Sequence, residues 1–109
     1  MVPGPSRYSV RVKKFRVLLH GENFLFTTED GRPQVHGFYT TRWVEAENAE
    51  AAELAAVELV RSDPGLVEAT VNPRDDSPMI YLADLRELAD FDGVSPPGAG
   101  YTFYTVNPE

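Results

Sequence analysis

An α+β domain, with an antiparallel-rich sheet of four to five strands and one main helix packed on one face, is predicted by three stretches of the sequence. Asp30-Gly31 stands between two β-like runs, the strongest short-range signal for a hairpin. Residues 49–61 are rich in Ala, Glu and Leu and read as a helix. Residues 101–106, YTFYTV, read as a closing aromatic strand.

Residues 1–7 hold two prolines and a glycine without periodicity, which predicts a frayed arm ahead of a single domain over 8–109. From Tyr8 the pattern is β-like, with Val10 and Val12 on one parity and Phe15, Val17 and Leu19 on the other. The flip across Lys13-Lys14 predicts a bulge, or a strand that starts only there. A two-residue type I′ turn at Asp30-Gly31 then sets a register. Glu29 faces Arg32, Phe24 faces Gly37, Glu22 faces Tyr39, His20 faces Thr41 and Leu18 faces Trp43. This register gathers Leu18, His20, Glu22, Phe24, Tyr39 and Trp43 on one face, with Phe15, Val17, Leu19, Phe38 and Val44 on the other. Arg42 falls beside Leu19 on the more apolar face. An unpaired charge is costly there, so the residue must snorkel, find an acidic partner, or mark a register slip.

Asn48 is the expected N-cap of the helix, with Glu47 and Glu50 near the terminus that favours negative charge. Steps of ~100° put Ala49, Ala52, Ala55, Ala56, Leu59 and Val60 on one arc and leave Leu54 and Val57 outside it. Asp63-Pro64-Gly65 supplies the stop. Residues 66–71 then read as a strand and 72–78 as a loop. In 79–88 the leucines at 82, 85 and 88 fit a helix, but Ile80-Tyr81-Leu82 after a prolyl loop fits a strand pairing with 66–71; the strand is preferred. Residues 92–100, DGVSPPGAG, are a loop by composition.

The joint Trp43-Val44-Glu45-Ala46-Glu47-Asn48-Ala49-Glu50-Ala51-Ala52 resembles one in small bacterial α+β domains of ferredoxin-like or related build. Taken with PMIYLADL (78–85) and GYTFYTVNPE (100–109), the stretch GFYTTRWVEAE (37–47) is similar to a small uncharacterised bacterial α+β family. The resemblance implies a fold. It implies no activity, substrate or cofactor.

Composition narrows the function. At 109 residues, 42% hydrophobic and 25% charged, the chain suits one folded domain. A net charge of −7 repels phosphate backbones, and the basic stretch Arg11–Arg16 would be split between two strand faces, so nucleic acid is not the expected partner. No apolar run reaches the ~20 residues of a membrane span, and the N-terminus has no apolar signal core. With no cysteine there is neither disulfide nor thiolate site, and a cytoplasmic location is expected. His20 and His36 fall on opposite faces and ~13 Å out of step, too far to share a metal. The acidic pairs, such as Asp75-Asp76, fit solvated turns. There is no G-x-S-x-G elbow and no phosphate loop. No catalytic, metal or cofactor residue is therefore assigned.

The aromatic face remains. Two apolar sheet faces with one helix to cover them predict a non-enzymatic interaction module. It would bind itself as a homodimer, or another protein, through Leu18, His20, Glu22, Phe24, Tyr39 and Trp43. The alternative is a small-molecule binder or minor enzyme with a pocket between the sheet and the C-terminal loop, using His20, Tyr39, Arg42 and Glu22.

Overall fold

The computed structural model describes residues 12–106. Strands β1 (Lys13–Thr27) and β2 (Pro33–Ala46) form a long hairpin. Helices α1 (Ala49–Arg61) and α2 (Pro64–Ala69) follow, then β3 (Met79–Leu88) and β4 (Thr102–Thr105). The four strands make one antiparallel sheet in the order β3-β1-β2-β4. The α+β class, the four-stranded sheet and the single main helix are thus as expected. The element order β-β-α-α-β-β differs from the ferredoxin-like split, which is β-α-β-β-α-β. The predicted arm at 1–7 and the residues from Tyr8 to Arg11 lie outside the described residues.

Helix α1 forms where its composition puts it. The Asn48 side chain accepts from the Ala51 backbone N–H at 2.8 Å, and Arg61 sits in the last turn, where the dipole favours a cation. Ala52, Ala56 and Val60 are fully buried against the sheet, so two of the three contact side chains are single methyl groups and the helix lies close to the strands. Under it, Phe15, Val17, Leu19, Phe24, Phe38 and Val44 form the core, joined by Leu66 of α2. Removing each such side chain from water is worth about 1.5–3 kcal/mol. Of the two residues off the main stripe, Val57 packs at the margin of this core and Leu54 is exposed.

The hairpin turn is wider than predicted. The Thr28 backbone N–H donates to the Arg32 carbonyl at 3.1 Å, and the Gly31 N–H donates to the Thr28 carbonyl at 2.9 Å. The loop is therefore three residues, Glu29-Asp30-Gly31, with Gly31 at φ 81°, the left-handed position that such loops require. Thr28 and the Arg32 N–H both bond the Asp30 carboxylate, and these bonds hold its pKa below the usual range.

Further down, a bulge sets Glu22 and Asn23 against the single residue Gly37, and Asn23 takes φ 63°. Below the bulge His20 faces Tyr39, Leu18 faces Thr41 and Arg16 faces Trp43, two residues from the expected pairing. A shift of two preserves the faces, so Leu18, His20, Tyr39, Thr41 and Trp43 do share one. Above the bulge the shift is one, and Phe24 pairs with His36 on the helix-covered face, 4.9 Å from the Phe38 ring. Phe24 is a core residue, not a member of the outer face.

Two other expectations are corrected. Residues 64–69 are helical, because the Asp63 carboxylate caps Gly65 N–H at 3.0 Å and Pro64 fits the first turn of a helix. Asp63-Pro64 stops one helix and starts the next. Strand β3 forms where expected, but it pairs with β1 and not with 66–71. Its helix-like leucine spacing has a physical reason. An extra residue at Ala83 brings both Leu82 and Leu85 opposite the inward residues Leu19 and Val17.

Candidate interaction face of the sheet

The sheet has two faces of different character. Both helices lie on the face of Phe15, Val17 and Leu19, and no described helix or strand lies over the other. On that outer face the cross-strand pairs place Leu18, His20, Tyr39, Thr41 and Trp43 beside Tyr81 of β3 and Tyr104 of β4.

At its centre is an ordered aromatic cluster. The His20 ring stacks on Tyr39 with centroids 4.4 Å apart and planes at 6°. Its Nε2 is 2.6 Å from the Tyr104 hydroxyl, and its Nδ1 is 3.6 Å from a Glu22 carboxylate oxygen. Tyr104 reaches this position because its cross-strand partner is Gly37. A Cβ on Gly37 would stand 2.2 Å from the Tyr104 ring, so only glycine lets that ring lie flat over the neighbouring strand. The Tyr104 phenol is pushed above its usual pKa, first by desolvation and then by the Tyr39 and Glu22 charges. Tyr39, Tyr81 and Tyr104 remain 43%, 44% and 38% exposed, and Met79 is 49% exposed at the same end.

The opposite end of the face is charged. Arg16 and Arg86 flank Asp84, at 3.6 and 3.9 Å. Trp43 lies here too, but it is half-buried: the loop after β3 crosses from one edge of the sheet to the other and sets Gly98 against the Trp43 ring. The Pro97 carbonyl accepts from the Trp43 backbone N–H at 3.0 Å. The same loop completes the edge of β2 that the short strand β4 does not reach.

The structure therefore brings together Leu18, His20, Glu22, Tyr39 and Trp43 of the sequence-predicted set and separates Phe24 from them. It adds Tyr81, Tyr104 and Met79. The pattern YTFYTV carried the signal for Tyr104, but its side of the sheet depended on β4 pairing with β2.

Arg42 points the other way and cannot act with His20. It is 3% exposed on the helix-covered face, with Nη1 donating to the Thr40 hydroxyl, to the Thr41 carbonyl at 3.0 Å and to the Gly100 carbonyl at 3.3 Å. Its guanidinium lies 5.0 Å over the Tyr101 ring. Tyr101 in turn donates to Asp63 at 2.7 Å. This bond holds the Asp63 carboxyl below the usual range, while burial and Asp63 push the Tyr101 phenol up to about 12. The cation is thus satisfied by carbonyls, a hydroxyl and a ring. A groove of about 370 Å³ between the sheet and the C-terminal loop is lined by Leu18, Tyr39 and Trp43, but not by His20, Glu22 or Arg42. His20 and His36 lie on opposite faces, and among the described residues no three His, Asp or Glu side chains converge as metal ligands. No described helix is long and apolar enough to cross a membrane.

Comparison of the chain with protein-family models, with curated proteins and with solved structures finds no match.

Proposed function

We propose that this protein is a non-enzymatic interaction module that pairs with a second copy of itself through the outer face of its sheet. The observation that carries the reading is a face that no described helix or strand covers, bearing three partly exposed tyrosines around a stacked histidine. Tyrosine combines an apolar body with a polar rim and is enriched in interfaces.

The distribution of charge favours a second copy. Arg16 and Arg86 stand at one end of the face and Glu22 at the other, about 20 Å along the strand at ~3.3 Å per residue. A two-fold axis through the Leu18–His20 region sets Glu22 of each copy against the arginines of the other, as an isologous interface requires. This face is also less acidic than the rest of a chain of net charge −7, so it is where two copies repel least. The absence of cysteine suits a reducing cytoplasm.

Sedimentation velocity across micromolar concentrations tests the reading. The expected result is a dimer that Tyr39→Glu converts to a folded monomer. A wild-type chain that stays monomeric throughout that range, or a dimer indifferent to both Tyr39→Glu and Tyr81→Glu, overturns it.

A further inference from the structure

At the turn end of the helix-covered face, a groove of about 660 Å³ opens between the hairpin tip, α2 and β4. No residue of α1 lines it, so the main helix leaves this end of the sheet open. Four rings line the groove. Phe26 lies 4.8 Å from His36 and 5.7 Å from Phe103, and the Phe26 and Phe103 planes meet at 77°, which makes a corner. Tyr101 stacks on Phe103 at 5.2 Å. Phe103 is 47% exposed. Two carboxylates, Glu29 and Asp63, also line it, and among the described residues no lysine or arginine does.

This combination selects a ligand class. Ring faces carry negative potential, and carboxylates add full charge, so anions are repelled and cations attracted. A hard metal ion wants six or more oxygens and finds two carboxylates among rings. A small ammonium ion gives up strong hydration that the rings do not replace. A cation whose charge is spread over apolar methyl groups gains from both wall types: its methyls bury against rings while its charge faces Asp63 and Glu29. The chain already uses this chemistry internally, since the Arg42 guanidinium caps Tyr101. That cation lies over Tyr101, which itself stacks on Phe103, and its charge also reaches Asp63. A ligand in the groove would share this carboxylate with Arg42 while having Phe26, the exposed Phe103 and Glu29 to itself.

We propose that the groove binds a small quaternary ammonium compound of the choline type, held in the Phe26–Phe103 corner and paired with Asp63. The site lies on the face opposite the proposed dimer surface, so it stands or falls separately from it.

Amide NMR of the whole chain, titrated with choline, tests the proposal. The uncharged isostere in which carbon replaces the nitrogen serves as the comparison. Saturable shifts are expected at Gly65 and Phe103, with the isostere about tenfold weaker or more. Asp63→Asn, which keeps an N-cap side chain, is expected to weaken choline and leave the isostere unchanged. Phe103→Leu is expected to remove binding while the fold persists. Equal affinity for choline and isostere overturns the proposal, as does the lack of saturable shifts at Gly65 and Phe103. So does full choline affinity in a folded Phe103→Leu or Asp63→Asn chain. Should Phe103→Leu fail to fold, the isostere comparison and Asp63→Asn still decide.

Discussion

Arg42, Tyr101 and Asp63 show how one buried charge is accommodated without an ion pair at contact distance. The guanidinium spends its donors on a hydroxyl and two carbonyls, and a ring carries the rest of the interaction to a carboxylate on the junction of the two helices. The chain titrates accordingly. Tyr101 has its pKa raised by folding, so its contribution is complete below the ordinary phenol value of about 10 and is lost as pH rises through about 12. Asp63 has its pKa lowered, so its contribution is present above the ordinary carboxylate value and is lost as pH falls through the folded value. Tyr101→Phe removes the bond that chiefly lowers Asp63 and that adds to the effect of burial on Tyr101. Its expected cost near neutral pH is about 1–2 kcal/mol, with a shallower loss of stability on the alkaline side, measured by urea unfolding at a series of pH values. The sequence posed Arg42 as a problem on the apolar face. It did not contain the answer, because Gly100, Tyr101 and Asp63 lie 20 to 60 positions away and only the fold assembles them.

At the scale of elements, what was legible had local causes. Helix α1, its Asn48 cap and the centre of its stripe, Ala52, Ala56 and Val60, follow from a fourteen-residue window, and the structure reproduces them. Ala49 and Leu59 of the expected stripe are instead exposed. The hairpin was legible as a hairpin, and its exact pairing was not. Asp-Gly suits a two-residue and a three-residue loop alike, and the difference moves every partner. The bulge at Glu22-Asn23 was invisible because it needs an asparagine in a left-handed conformation, which no periodicity announces. That one extra residue decides whether Phe24 is inside or outside, and hence the composition of the candidate face. Helix α2 was missed because Leu66–Val71 has strand composition, while the Asp63 cap and Pro64 determine its first turn. The turn itself gives a direct check. Gly31 has open space for a side chain but a backbone that disfavours one, so Gly31→Ala is expected to cost about 1 kcal/mol through backbone strain alone, read as a lower urea midpoint with an unchanged slope.

For the whole molecule the decisive fact is asymmetry. Helices protect one side of the sheet, and the other carries tyrosines in a chain whose net charge is −7. If two copies meet there, they do so against a mutual repulsion set by −7 on each. Salt screens that repulsion over a Debye length of roughly 10 Å at 0.1 M, while the tyrosine contacts are little affected. Raising ionic strength from low to physiological values is therefore expected to tighten self-association, measured as a fall in the dimer dissociation constant by sedimentation equilibrium. An association that weakens steeply with salt would instead point to the Glu22–arginine pairs as its main support.

The strand Thr102–Thr105 has a position that its length conceals. It is a short edge held by pairing with His36–Tyr39, and its successive side chains go to opposite sides: Phe103 walls the inner groove and Tyr104 roofs Gly37 in the outer cluster. When such an edge peels away, both surfaces lose a wall in the same event. A molecule lodged behind Phe103 would pin the edge down and so keep Tyr104 in place, and a partner resting on Tyr104 would return the favour by the reciprocity that thermodynamic linkage imposes. Two sites that never touch would then communicate through the fraying of four residues.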